Sequence, residues 1–159
     1  MEYKNFELDF VERTMQNLHN TIKVSDKIYE FTDLINQCYG LLIVPEEFAQ
    51  RKGFLGKMCQ KIKYYGFDKK QVLRFNADKF TVANLLRHIR NGLAHSRIKV
   101  LNNNGIIVGV QIWDTYSTRH KVPNKEIHTI VTFSADELRT FAIKVAEEYC
   151  RLKREKLGL

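Results

Sequence analysis

The apolar positions of the first forty residues repeat with the period of a helix. Val11, Met15, Leu18 and Ile22 recur at steps of four, three and four, with Tyr3, Phe6 and Phe10 alongside, a spacing that gathers them on one stripe of a helix over roughly residues 4–22. Ser25 and Asp26 then offer side chains suited to cap a second helix. Along it Ile28, Phe31, Ile35, Cys38 and Leu42 recur at three and four, and Leu34 and Leu41 widen the stripe. A helix with so broad an apolar face belongs near the centre of the fold. Pro45 ends or kinks it near Val44. Residues 45–78 are less periodic, with a short helix expected around Gly56–Tyr65, and a third long helix is expected from about Asp78 to Ala94.

Beyond Ala94 the period changes to that of strands. Arg97–Leu101 and Ile106–Trp113 flank Asn102-Asn103-Asn104-Gly105, and Asn-Gly between two apolar runs is a strong hairpin signal. Ile127–Phe133 alternates as a third strand, and the polar stretch Thr115–Lys125 before it reads as a mobile loop. Ser134-Ala135-Asp136-Glu137 is a capping box that opens a last helix, with Leu138, Phe141, Val145, Tyr149 and Leu152 on its buried side. Helices, then a small three-stranded antiparallel sheet over 97–133, then a closing helix make an α+β fold that is mainly α.

A chain of 159 residues is one domain's worth, so residues 1–159 are expected to form a single unit. The longest apolar stretch, Cys38–Val44, is too short to span a bilayer, and the acidic, polar amino terminus is unlike a signal peptide. Cys38, Cys59 and Cys150 are odd in number and far apart. They read as reduced thiols in a cytoplasmic protein, with neither a disulfide framework nor a zinc site. The formal charge of +8 is unevenly spread: residues 1–50 net −5, residues 51–74 net +7 and residues 75–159 net +6. The 51–74 stretch interleaves its cations with Phe54, Tyr64, Tyr65 and Phe67, a combination that suits a nucleic-acid backbone and its bases. It reads equally as a solvated, partly helical insertion.

The segment richest in chemistry runs from Asn84 to His95. On a helical wheel Val82, Leu85, Leu86, Ile89 and Leu93 share one arc, while Asn84, Arg87, His88, Arg90, Asn91 and His95 lie opposite, with no acidic residue among them. A solvated face ordinarily mixes signs for i,i+4 pairing. An acid-free face with two arginines and two histidines points to a polyanion. Cleavage of RNA by its own 2′-hydroxyl needs a group that moves a proton near neutral pH, which histidine does, and positive charge on the pentavalent phosphorus, which a guanidinium supplies. That chemistry demands no metal, and no carboxylate cluster suggests one; no cofactor is expected.

Arg90-Asn91-Gly92-Leu93-Ala94-His95 matches the R-x4-H signature of HEPN ribonucleases, with a polar residue after the arginine. Leu85-Leu86-Arg87-His88-Ile89, Tyr29–Asn36, Leu41–Pro45, Ile112-Trp113-Asp114 and the capped last helix resemble a plasmid- and phage-associated bacterial branch of that family. The resemblance covers nearly the whole chain, with the 51–74 stretch matched weakly. It implies a HEPN-like antiparallel helical bundle and a two-fold homodimer in which the Arg/His faces of two helices oppose each other. It implies a metal-independent endoribonuclease that leaves a cyclic phosphate and serves defence, stress response or a toxin system, with an antitoxin or effector partner. By the same analogy Arg90 stabilises the phosphorane, His95 transfers the proton and Asn91 orients or binds the phosphate. Arg87, His88 and Asn84 are weaker candidates for substrate contact, and His88 reads more readily as a structural or peripheral residue. Where some toxin members carry a tyrosine two residues after the histidine, this chain has Arg97, which would add positive charge beside the site.

Two other readings use the same residues. The face could hold RNA or a nucleotide without cutting it, or the chain could be a structural subunit that dimerises through the third helix. His95 taken alone suits a helix C-cap. Gly92 suits either close approach of two helices in a dimer or a tolerated helical glycine.

Overall fold

Burial in the first helix follows the expected stripe in part: Val11 and Leu18 are buried and Phe10 and Met15 half-buried, but Phe6 is exposed. In a computed structural model, which describes residues 5–21, 30–45, 53, 55–76, 79–115 and 127–159, helix α1 (Phe6–Thr21) buries Leu8, Val11, Thr14 and Leu18. Asn5 opens it, accepting the Leu8 amide at 3.4 Å while its own amide donates to Asp9 at 3.0 Å. Helix α2 (Glu30–Cys38) continues into a π-helical turn, Tyr39–Ile43, that buries Gly40, Leu41 and Leu42. Gly40 is required there, because a Cβ would lie 2.9 Å from Thr14 Cγ2 and α1 could not pack so close. The capping side chains Ser25 and Asp26, a helix start at Asp78, Phe54 and the Thr115–Lys125 loop fall almost wholly outside the described residues.

Helix α3 (Val82–Ala94) starts at Thr81, whose hydroxyl accepts the Asn84 amide at 3.2 Å. After it come strands β2 (Ile98–Asn103), β3 (Ile106–Thr115) and β4 (Ile127–Phe133), then helix α4 (Ala135–Leu157). The hairpin turns on Asn104 and Gly105, both at positive φ (51° and 83°), the conformation that an Asn-Gly pair provides. The Ser134/Glu137 capping box is present in both directions. No helix among the described residues is long and apolar enough to cross a membrane.

The sheet differs from the expected one by a strand. Its order is β1-β4-β3-β2, antiparallel throughout, and the extra edge strand β1 (Val72–Phe75) comes from the stretch read as irregular. It is launched by a single 3₁₀ turn over Lys69–Gln71, held by a capping box between Asp68 and Gln71. The helix expected around Gly56–Tyr65 is only a 3₁₀ turn, Ile62–Tyr65. The basic stretch is divided in role. Met58, Tyr65 and Phe67 belong to the core, where Phe67, Phe133 and Phe141 stack with centroids 5.4–5.6 Å apart. Lys57, Lys61, Lys63, Lys69, Lys70 and Arg74 stay exposed.

The core gathers Leu34, Cys38 and Leu41 from α2, Leu85, Ile89 and Leu93 from α3, Val110, Ile112 and Val131 from the sheet, and Leu138, Phe141 and Val145 from α4. Helix α3 is covered on two sides, by the π-helical turn of α2 and by β3. It reaches β3 at Gly92, where a Cβ would lie 2.4 Å from Ile112 Cγ2 and 2.8 Å from the Trp113 carbonyl oxygen. Gly92 therefore serves helix-on-strand packing within one chain, which the sequence reading did not foresee. Gly92→Ala is expected to lower stability by about 1–3 kcal/mol through overpacking, despite alanine's better helix propensity, as read by urea denaturation.

Candidate functional site at the end of the third helix

The residues singled out by sequence separate into two groups. Arg87 and Arg90 are half-buried on α3, Asn91 is half-buried with its amide turned to β3, and His95 is exposed at the C-cap. Asn84 sits in the first turn, its amide nitrogen donating to the Lys79 carbonyl at 2.8 Å. His88 belongs elsewhere. It is 5% exposed and turned to the sheet, with its ring set between those of Phe75 and His128 at centroid distances of 5.4 and 4.6 Å. The helical wheel put it opposite the core because it allowed for one packing partner, and α3 has two.

What holds this end of α3 is Asp114, a residue that the sequence noted only as part of a strand end. It occupies an inward position of β3, in line with Val110 and Ile112, and is 3% exposed. Its Oδ2 accepts from His88 Nδ1 at 2.8 Å and from Asn91 Nδ2 at 3.0 Å. Its Oδ1 accepts from Arg97 Nη1 at 2.6 Å and from the Thr115 amide at 2.9 Å. An ionised carboxylate only accepts, so Nδ1 of His88 carries a proton and the nitrogen end of the Asn91 amide faces Asp114. The acid-free face of α3 thus has an acidic partner after all, delivered by β3. A charged residue at an inward strand position is the signal that could have revealed it, since such a group must find partners.

His128 joins this network through a β-bulge. Asp114 pairs with Thr129 and Thr115 with Ile127, which leaves His128 as the extra residue of β4. The bulge lets both His128 and Thr129 be buried, with His128 Nδ1 2.8 Å from Thr129 Oγ1 and Nε2 3.8 Å from Asp114 Oδ2. Among the described residues, His88, Asp114 and His128 form the group whose ligand atoms come close enough for a metal ion, all within 4.8 Å. The donor set fits a hydrogen-bonded network better than a cation. Each oxygen of Asp114 already accepts two hydrogen bonds and Arg97 neutralises its charge, so a dication on this carboxylate would have to displace donors beside a guanidinium.

Burial pushes the Asp114 carboxyl up, but hydrogen bonds from His88, Asn91 and the Thr115 amide outweigh it and hold the group below the ordinary aspartate range. A depressed carboxyl stabilises the fold fully above its unfolded-state value and loses that contribution as pH falls through the folded one. Unfolding free energy measured in urea is therefore expected to decline as pH drops below about 4. Asp114→Asn should lower stability at neutral pH by about 2 kcal/mol and flatten this acid limb. Glu148, also held low, by Arg151, maintains part of the decline.

A shallow groove of about 400 Å³ lies elsewhere, lined by Phe10 and Thr14 of α1 and by Tyr39, Gly40 and Val44, with no residue of α3. Ser96, in the turn that leads from His95 into β2, has a positive φ of 53°.

Compared with known proteins, the chain matches a family model described as HEPN pEK499 p136 over residues 1–156. No curated protein and no solved structure matches it. The matched span takes in every helix and strand described above but for the last residue of α4, the basic stretch included, so the chain belongs to the HEPN pEK499 p136 family.

Proposed function

We propose that the chain is a metal-independent endoribonuclease, acting in the cytoplasm, whose site is composed of Arg90 and His95 from two copies in a homodimer. The observation that supports this most is the exposed imidazole of His95 at the end of α3, a turn and a half beyond half-buried Arg90, on the outer face that also carries Arg87. In this reading Arg90 binds the scissile phosphate and stabilises the charge that develops on it, with planar N–H donors matched to phosphate oxygens. His95 moves the proton, either from the 2′-hydroxyl or to the leaving 5′-oxygen. Arg87 and Asn84 extend the contact along the strand. Asn91, with its amide nitrogen committed to Asp114, orients rather than binds. Arg97, tied to the same carboxylate, contributes less free charge than a lone arginine would. A dimer with α3 opposed to α3 brings a second Arg/His pair to the same phosphodiester. Such an activity suits defence, stress response or a toxin system, restrained by an antitoxin or effector partner.

A second reading, RNA or nucleotide binding without cleavage, is favoured by one feature: two of the candidate contacts, Asn91 and Arg97, face inward to Asp114. The two readings separate in one experiment. Purified protein incubated with structured and unstructured RNAs in EDTA is expected to leave fragments with 2′,3′-cyclic phosphate ends. His95→Ala should lower the rate at least about 100-fold, the usual weight of acid–base catalysis. Because His95 is exposed, its unfolding free energy should change by less than about 0.5 kcal/mol. RNA recovered intact from a tight, salt-sensitive complex would replace the nuclease with the binding module.

A further inference from the structure

The seven residues from Asn91 to Arg97 form a reversal between α3 and β2. His95 N–H donates to the Asn91 carbonyl at 3.1 Å, Ser96 N–H to Leu93 at 2.9 Å, and Arg97 N–H to Gly92 at 2.8 Å. The chain therefore turns within one left-handed residue, Ser96, directly after His95. Such a turn is local and would rock on its own, since Ser96 sits in a conformation that L-residues adopt at a cost. Two features tie it to β3. Gly92 lies against the Trp113 backbone, and Trp113 N–H donates to the Arg97 carbonyl at 3.1 Å. The third tie is made of side chains. Asp114 holds Asn91, four residues before His95, through Oδ2, and Arg97, two residues after it, through Oδ1.

We propose that Asp114 is a positioning residue for His95: one buried carboxylate grips the reversal on both sides of the imidazole and sets where it stands. The proposal rests on the ribonuclease reading for its consequence, and on the geometry alone for its mechanism. The two grips use different oxygens, so together they fix rotation as well as distance. The carboxylate cannot swing to follow them. His88 holds Oδ2 and the Thr115 amide holds Oδ1, while β3 pairing with β2 and β4 holds the backbone. Proton transfer tolerates little error in the donor's place, and an ångström of misplacement costs about 100-fold in rate. A carboxylate that only filled a buried site would affect stability and leave His95 where it is.

The test uses the full-length protein and has two arms. In the first, single-turnover cleavage is measured for wild type, Asp114→Asn, His95→Ala and the double variant. Asp114→Asn should lower kcat by about 10- to 100-fold with KM changed less than about threefold, and in the His95→Ala background it should cost less than about twofold, since the group it positions is gone. Equal losses in both backgrounds, or a raised KM with kcat intact, overturn the proposal. In the second arm, amide and imidazole NMR signals of Asn91–Arg97 are compared between wild type and Asp114→Asn, without RNA. Shifts and broadening confined to this segment and its contacts, with α4 signals from Leu138 to Tyr149 unmoved, support the proposal. An unmoved 91–97 segment overturns it. Should Asp114→Asn fail to fold, Arg97→Gln removes one grip while leaving the other, and the same local signature is expected. If wild type cuts no RNA, the nuclease reading fails while the NMR arm still decides whether Asp114 sets His95.

Discussion

A carboxylate taken out of water costs several kcal/mol unless its oxygens find donors and its charge finds a counter-charge. Asp114 stands on an inward position of β3 and meets that demand with four donors, one of them a guanidinium. The donors come from separate parts of the chain: His88 and Asn91 from α3, Arg97 from the turn into β2, and the Thr115 amide from β3 itself. Leaving any one out would strand part of a buried charge, so the relative placement of helix, turn and sheet is specified together. The bulge at His128 has the same logic, because it brings a second imidazole to Asp114 at the expense of one ladder step.

The parts of this fold that were legible in the sequence are those decided by neighbours a few residues away. The α1 and α2 stripes, the Asn104-Gly105 turn and the Ser134/Glu137 box each depend on contacts within one element or one hairpin. Strand β1 was not legible. Val72-Leu73-Arg74-Phe75 is four residues long, follows a run of lysines, and becomes a strand only because β4, more than fifty residues on, offers an edge. The site was legible to the same extent. Arg90 and His95 follow from motif and helix period, and both lie where a helix ending at Ala94 puts them. His88 was misplaced because a wheel knows one buried arc, and the packing of Gly92 on β3 was not foreseen. Between the α2 turn and β3 the arc widens to take in both. Asp114 was out of reach of any local rule, being 23 residues from the Asn91 it binds.

Charge shows a comparable division between what is used inside the fold and what is left outside. The acidic excess of the amino-terminal third looked like an independent property of that segment. Part of it serves as the counter-charge for α4, whose Lys153 pairs with Glu7 and whose Arg154 pairs with Glu12 at 2.5 Å. Glu148 is taken by Arg151 and by the Cys59 amide, the latter tying the basic stretch to α4. These pairs consume the carboxylates of α1 and α4 within the helical layer. Among the described residues, Lys57, Lys61, Lys63 and Lys70 make no ion pair, and Lys69 lies over the Phe80 ring at 5.9 Å. The described lysines of the stretch that leads into β1 thereby keep their charge at the surface.

That exposed charge changes how the basic stretch should be understood. Tyr65 and Phe67 are core residues, so two of the four interleaved aromatics are used in packing, while Tyr64 is exposed beside the lysines. Charge alone attracts a polyanion without reading it and is screened over about 10 Å at 0.1 M salt. If the chain acts on RNA as proposed, such a stretch would raise the local concentration of the nucleic acid and leave discrimination to the groups at the end of α3. There the outer face offers Arg87, Arg90 and His95, and the inward-facing Asn91 and Arg97 hold the imidazole to β3. The same arginine that looked like an extra phosphate contact is thus better understood as half of a strut, because a guanidinium that closes on a buried carboxylate at 2.6 Å gives its strongest interaction to the protein itself.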